Sequence, residues 1–128
     1  MVALINHRDA DHERCRTALR TLPTDGLVTT WPCITEAMYL LGRGGGIRAQ
    51  DALWRYISDG LMRLHRMAEG EWQRMRALMN DYSDAPMDVA DASLVAAAET
   101  LQQRRVFTID QHFRAYRLRS GQAFEVVP

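Results

Sequence analysis

Segments with helical spacing of apolar residues alternate with short apolar runs along this chain, and this alternation most constrains its fold. Five segments are predicted as helices: residues 9–22, 32–41, 47–58, 69–82 and 88–103. Four runs are predicted as strands: residues 27–30, 61–64, 105–109 and 123–127. Helices that alternate with short strands predict an α/β fold with a mostly parallel sheet, in which functional residues gather beyond the carboxyl ends of the strands.

The length and composition of the chain suit a single domain over residues 1–128. With 128 residues, of which 47% are hydrophobic and 25% charged, the chain can build one core without disulfides. No apolar run reaches the length of about 18 residues that a membrane span needs, and the start of the chain shows no signal-peptide pattern. Cys15 and Cys33 lie in no metal-binding motif, so we expect reduced, buried side chains in a cytoplasmic protein that does not enter a membrane.

The cationic residues exclude several classes of function. The formal net charge is zero, with 16 cationic and 16 acidic residues, whereas a large nonspecific nucleic-acid surface usually makes a chain basic. Every cationic residue is Arg, which excludes a P-loop, a Schiff base and the lysine-assisted phosphatases of the α/β class. The glycines at 44–46 follow a helix rather than a strand, so we interpret residues 42–46 as a turn between two helices.

Glu36 is the acid that is hardest to explain by local structure. It lies within residues 32–41, a helix with apolar residues on nearly all sides, and such a helix is expected to be buried. An ionised Glu is rarely buried unless it is paired or bound to a metal. The alternative is that Glu36 reaches a surface edge or pairs with an Arg.

Three aspartates precede or begin helices, where capping competes with a catalytic interpretation. Asp88 fits an N-cap and Asp91 fits the third position of the same helix, so their spacing alone favours capping. Like charges three residues apart repel each other, however, and a divalent cation would relieve that repulsion. Asp110 follows the strand at 105–109 and precedes a short helix, which suits either an N-cap or a catalytic acid at the end of a strand.

Three motifs in a fixed order resemble the PIN-domain family, and more narrowly its VapC-type toxin ribonucleases. They are TEAMYLLG at 35–42, PMDVADASLV at 86–95 and VFTIDQHF at 106–113, and ALINHRD at 3–9 is similar as well. Each motif is moderately specific, their order and spacing are more so, and the resemblance covers essentially the whole chain. It implies a PIN-like three-layer α/β/α fold with a mostly parallel central sheet.

The resemblance implies a metal-dependent endoribonuclease that holds Mg²⁺ or Mn²⁺ in a cluster of acids. Carried over by motif, Glu36, Asp91 and Asp110 match the catalytic and metal-binding acids, and Asp88 looks like an auxiliary metal ligand. Hard carboxylate oxygens suit both cations. The bound metal would neutralise the scissile phosphate, orient a water and support the leaving oxygen.

Partners follow from the same resemblance. Family members cleave RNA, form homodimers and are normally inhibited by a cognate antitoxin protein. Arg114 and Arg117, just beyond Asp110, are candidates for binding the phosphates of the substrate, with a solvated helix face as the alternative.

The start of the chain departs from the family pattern. The family begins with a strand that ends in an Asp, whereas this sequence begins inside the segment that follows, so we expect the first strand and the first acid to be missing. A chain truncated in this way is expected to have weak or absent nuclease activity. The alternative function is therefore a non-catalytic PIN-like module that only binds a partner protein or RNA.

Overall fold

Helices and short parallel strands alternate along the chain, as the sequence predicts. The computed structural model describes residues 1–22, 26–85 and 87–128, so Pro86 of the 86–95 motif lies outside the described residues. The chain divides into two compact units, Met1–Leu64 and His65–Pro128, which are described separately below. Among the described residues, no helix is both long enough and apolar enough to cross a lipid bilayer.

The first unit consists of three helices and one parallel pair of strands. Its elements are α1 (Val2–Ile5), α2 (His12–Leu19), β1 (Leu27–Thr29), α3 (Trp31–Ser58) and β2 (Met62–Leu64). β1 and β2 pair in parallel, with Leu27 opposite Met62. Short β-branched and apolar runs account for both strands. α1 is not predicted by the sequence, because a single helical turn is too short to show a periodicity.

The core of the first unit is built on one face of α3. Ile34, Ala37 and Leu41 are spaced by three and four residues, so they share one side of the helix, and all three are at most 3% exposed. They pack in one cluster with Leu53 and with Met62 of β2. This face therefore holds the helix against the strand pair.

The predicted break between helices at 42–46 is narrower in the structure. Gly42, Gly44 and Gly45 are helical, and the backbone departs from helical geometry at Gly46, where φ is 62°. A positive φ is accessible to glycine at little cost, whereas most other residues avoid it. The prediction of a turn spanning all five residues was wrong, because glycine lowers helix propensity without preventing helical geometry.

The second unit contains two α-helices, a 3₁₀ helix and one parallel pair of strands. Its elements are α4 (Glu71–Asp81), α5 (Val89–Thr100), β3 (Arg105–Phe107), the 3₁₀ helix (Gln111–Arg114) and β4 (Glu125–Val127). β3 and β4 pair in parallel, with Val106 opposite Val126. Parallel pairing in both units confirms the predicted α/β class with parallel strands. The three-layer arrangement stays a prediction.

Aromatic side chains fill the core of the second unit. Phe113 and Tyr116 are 1% and 0% exposed, and their rings meet edge to face with centroids 5.2 Å apart. Tyr82 contacts Tyr116 in the same manner at 5.1 Å, and Phe124 contacts Phe113 at 5.6 Å. Such pairs stabilise a core by about 0.5–1.5 kcal/mol each beyond the area they bury. The 3₁₀ helix is therefore anchored through Phe113.

A buried carboxylate at the start of α4 is satisfied by hydrogen bonds from two other segments. Glu71 is 7% exposed, and His65 Nε2 lies 2.8 Å from its Oε1 and 2.9 Å from its Oε2. Thr100, the last residue of α5, donates its hydroxyl to Oε1 of Glu71. Burial acts to raise the pKa of Glu71, but the hydrogen bonds from Thr100 and His65 outweigh it and hold that pKa below its ordinary value of 4.5.

The lowered pKa of Glu71 predicts acid-sensitive stability. A carboxyl group whose pKa is lowered by folding contributes stability that is fully present above its unfolded pKa, here 4.5. This stability is lost as the pH falls from 4.5 through the lower pKa of the folded state. We expect Glu71→Gln to lower the free energy of unfolding by about 1.5–3 kcal/mol at pH 7, and by much less at pH 3. Urea unfolding at the two pH values measures this difference. Glu69→Gln, at an exposed neighbour of Glu71, serves as the control, and an equal loss of unfolding free energy in this variant would contradict the prediction.

Candidate active site

Asp88 and Asp91 begin α5, and both take part in its capping. Asp88 is the N-cap, with an extended backbone, and its Oδ1 accepts a hydrogen bond of 2.9 Å from the backbone N–H of Asp91. Asp91 occupies the third helical position, where the partial positive charge of the helix N-terminus favours a carboxylate. The capping interpretation of this spacing is confirmed, and the two acids are held within one helical turn.

Asp110 caps the 3₁₀ helix at the carboxyl end of β3. Its Oδ1 accepts a hydrogen bond of 2.8 Å from the backbone N–H of His112, and the Nδ1 of His112 lies 2.9 Å from the same oxygen. The backbone N–H of Asp110 donates to the hydroxyl of Thr108. The predicted N-cap is again confirmed. The acid also lies where a parallel strand ends, which is the usual place for functional residues in α/β proteins.

The Tyr116 hydroxyl connects the two capped segments. This fully buried phenol donates a hydrogen bond of 3.0 Å to Oδ2 of Asp91. Burial, the charge and hydrogen bond of Asp91, and then the charges of Asp110 and Asp88 raise the pKa of Tyr116 well above its ordinary value of 10. The charges of the three candidate aspartates therefore all raise the pKa of one hydroxyl.

Sequence reasoning does not single out Tyr116. Its contact joins residues 25 positions apart, and a Tyr beyond Asp110 has no local pattern that would predict a partner on α5. The one available signal is general: a buried tyrosine needs a partner for its hydroxyl.

Glu36 lies on the exposed side of α3 in the first unit. Cys33, Ile34 and Ala37 face the core, whereas Glu36 and Tyr39 are exposed. The expectation that this helix is buried on nearly all sides was wrong, because large apolar residues also occupy its solvent face. Because Glu36 is exposed, its charge requires neither a metal nor an Arg partner. Its assignment as a metal ligand therefore rests on the motif.

The two arginines proposed to bind phosphate are exposed and make local hydrogen bonds. Arg114 donates from Nε to the side-chain oxygen of Gln111 at 2.7 Å. Arg117 donates from Nη1 to the carbonyl oxygens of Arg114, Ala115 and Tyr116, at 2.7–2.9 Å. The three Nη1 contacts of Arg117 stabilise the end of the 3₁₀ helix. A guanidinium has five N–H donors in all, so both side chains retain capacity for an anion.

The acids of the second unit match a hard divalent cation in chemistry without forming a closed cage. Asp88 and Asp110 make their capping hydrogen bonds through Oδ1, and each carboxylate has a second oxygen that can bind a cation. Within residues 1–22, 26–85 and 87–128, no three His, Cys, Asp or Glu side chains are grouped closely enough to hold a metal ion. Mg²⁺ is usually bound through one or two carboxylates together with waters and substrate phosphates, so such an open arrangement suits it.

Comparison with known proteins finds one similar sequence and one similar solved structure. No protein-family model matches the chain. Ribonuclease VapC26 of Mycobacterium tuberculosis (strain ATCC 25618 / H37Rv) is 26% identical over 129 residues, which cover 100% of this chain and 95% of that protein. The crystal structure of Mycobacterium tuberculosis VapC20, a Sarcin-Ricin loop cleaving toxin, superposes with a TM-score of 0.84 at 21% identity, over 99% of this chain and 93% of that one. The second likeness shows the fold alone.

Proposed function

We propose that this homologue of the VapC-family PIN-domain toxin ribonucleases is a metal-dependent endoribonuclease that hydrolyses RNA phosphodiester bonds. The observation that carries this proposal is geometric: two carboxylates are capped at the start of α5, one of them accepts a hydrogen bond from the buried Tyr116 hydroxyl, and a third carboxylate lies at the end of β3. Solvent-accessible acids held by helix caps are suited to a cation and to phosphate chemistry.

The metal is proposed to be Mg²⁺ or Mn²⁺, with Asp91 and Asp110 as ligands and Asp88 as auxiliary ligand, and the motif at 35–42 assigns a ligand role to Glu36 as well. When bound, the cation would neutralise the scissile phosphate, orient a water and lower the pKa of that water. The role of the protein itself would be to fix the carboxylates through the two helix caps. Carboxylates that share a cation titrate as a coupled set, so the role of base belongs to the group rather than to one acid.

RNA is the proposed substrate, with Arg114 and Arg117 as contacts to its backbone. Both side chains are exposed and follow Asp110 within one short segment. Guanidinium groups bind phosphate oxygens through paired hydrogen bonds and position the strand without reading its sequence. VapC20 is a Sarcin-Ricin loop cleaving toxin, so ribosomal RNA that contains this loop is the first substrate to test.

A cognate antitoxin, a homodimer and a cytoplasmic location complete the proposal, and homology to VapC toxins supports all three. The surface of α3 adds a physical reason to expect a protein partner. Trp31, Tyr39 and Leu40 are 55%, 61% and 45% exposed on this helix. Large apolar side chains exposed together are typical of surfaces that bind another protein.

A non-catalytic PIN-like module is the alternative function. The observation that favours it is the absence, among the described residues, of a closed group of three metal-binding side chains. Such a module would bind a partner protein or RNA without binding Mn²⁺ at the acids. Metal binding therefore separates the two functions before any nuclease assay is run.

Removal of the metal is expected to abolish RNA cleavage. Purified 1–128 incubated with ribosomal RNA should cleave it weakly in Mg²⁺ or Mn²⁺, lose this activity in excess EDTA and regain it when Mn²⁺ is restored. Glu36→Gln should reduce the rate by about 10-fold or more, since it removes one charge that would stabilise the cation. Glu13→Gln, at a highly exposed acid of α2, is the control and should have no effect. Cleavage that persists in EDTA would contradict the proposed metal dependence.

A further inference from the structure

We propose that Tyr116 is a positioning residue, whose buried hydroxyl fixes the Asp91 carboxylate in the orientation in which it binds the divalent cation. This inference rests on the proposed function, because it assigns a role to Tyr116 within the same metal site. No contact of Tyr116 with substrate or metal is required. Its effect is transmitted entirely through the hydrogen bond of 3.0 Å to Oδ2 of Asp91.

The Tyr116 ring is fixed by its surroundings. It is 0% exposed and is contacted edge to face by Tyr82, with rings at 68°, and by Phe113, with rings at 73°. Phe113 is in turn packed against Phe124. A ring held on two sides cannot follow a moving carboxylate, so the position of the hydroxyl is set by the core.

The Asp91 carboxylate is the group that this fixed hydroxyl restrains. It lies in the first turn of α5, it is half-buried, and the terminal torsion of an aspartate has only broad preferences. A hydrogen bond from a fixed donor to Oδ2 therefore defines the plane of the carboxylate. Outer groups that orient a metal ligand in this way commonly change metal affinity by about 10–100-fold when they are removed.

The location of the hydroxyl points to the site rather than to the core alone. A buried phenol could satisfy its hydroxyl with any nearby carbonyl, yet Tyr116 donates to the one residue of α5 that the motif assigns to metal binding. The charges of Asp110 and Asp88 act on the same hydroxyl. The hydrogen bond from Tyr116 therefore joins the aromatic core directly to one acid of the proposed site.

Tyr82 provides a matched control for Tyr116. It belongs to the same aromatic cluster, and its hydroxyl accepts a hydrogen bond of 2.9 Å from the backbone N–H of Arg117. Tyr82→Phe and Tyr116→Phe each remove one hydroxyl from this cluster and keep the ring. Only Tyr116→Phe removes a contact to an acid of the proposed site.

The test compares Mn²⁺ affinity, measured by electron paramagnetic resonance, in the wild-type chain and in these two variants. Tyr116→Phe should weaken Mn²⁺ binding by about 10-fold or more, whereas Tyr82→Phe should stay within about 2-fold of wild type. The Mg²⁺ concentration that gives half-maximal RNA cleavage should rise in Tyr116→Phe, and most of the maximal rate should return at saturating Mg²⁺. Near-ultraviolet circular dichroism should be unchanged in both, which shows that the cluster remains packed.

Two results would overturn the positioning role, and they differ in what they say about the proposed function. Equal Mn²⁺ affinity in wild type, Tyr116→Phe and Tyr82→Phe would remove the role of Tyr116 and leave the metal-dependent function standing. A wild-type chain that binds no Mn²⁺ would contradict the proposed function, and the positioning role would be lost with it.

Discussion

Asp91→Asn is expected to reduce Mg²⁺-dependent RNA cleavage by about 100-fold or more, which corresponds to about 2.7 kcal/mol of transition-state stabilisation. Asn has the shape of Asp but lacks the charge, so it can still accept the hydrogen bond from Tyr116 while it binds a divalent cation poorly. The comparison of initial cleavage rates at saturating Mg²⁺ measures this loss.

The same substitution should leave stability nearly unchanged, which separates a functional loss from unfolding. Loss of the charge weakens a favourable interaction with the helix N-terminus and also removes repulsion from Asp88. These opposing effects are each below about 1 kcal/mol. Asp84→Asn removes an exposed charge from the preceding turn and is the matched control, expected to cleave RNA like wild type. Asp91→Asn with a cleavage rate near that of wild type would contradict the assignment.

Phe113→Ala is expected to lower the free energy of unfolding by about 3–5 kcal/mol, a large part of the 5–15 kcal/mol that is typical of a folded domain. Phe113 is 1% exposed and lies between Tyr116 and Phe124, so its truncation leaves a cavity that the rigid rings cannot close. Urea unfolding of the variant and of wild type measures the difference.

This substitution also links the core to the proposed site. Without Phe113 the Tyr116 ring loses one of its two edge-to-face partners, so Mn²⁺ affinity should fall together with stability. Ile109→Ala is the control, because Ile109 is 39% exposed and its truncation should cost less than about 1 kcal/mol. A loss below about 1 kcal/mol in Phe113→Ala would contradict the role given to the aromatic core.

Local patterns in the sequence predict the elements and the caps well. Strands such as β2 and β3 come from short runs of suitable residues, and the caps at Asp88 and Asp110 involve atoms within three positions along the chain. These features depend on neighbouring residues alone. The break in α3 was predicted less accurately. Glycines such as Gly44 stay helical, and only Gly46 departs from helical backbone geometry.

Features that depend on tertiary packing are not available from the sequence alone. The Tyr116 contact to Asp91 exists because the 3₁₀ helix and α5 meet in one core, and no periodicity carries that information. The helix around Glu36 was expected to be buried because its residues are apolar, yet Glu36 lies at the surface, as the alternative interpretation had it, since periodicity cannot tell which apolar residues stay exposed. The site assignment thus depends on motif resemblance for Glu36, and on both motif and geometry for the three aspartates.

Direct titration of the purified chain with Mn²⁺, followed by electron paramagnetic resonance, tests the central claim that these acids bind a divalent cation. The matched control is a variant that carries Asn at Asp88, Asp91 and Asp110 together. The wild-type chain should bind Mn²⁺ saturably, excess Mg²⁺ should displace it, and the variant should show no saturable binding. A wild-type chain that does not bind Mn²⁺, or a variant that binds it equally well, would contradict the claim.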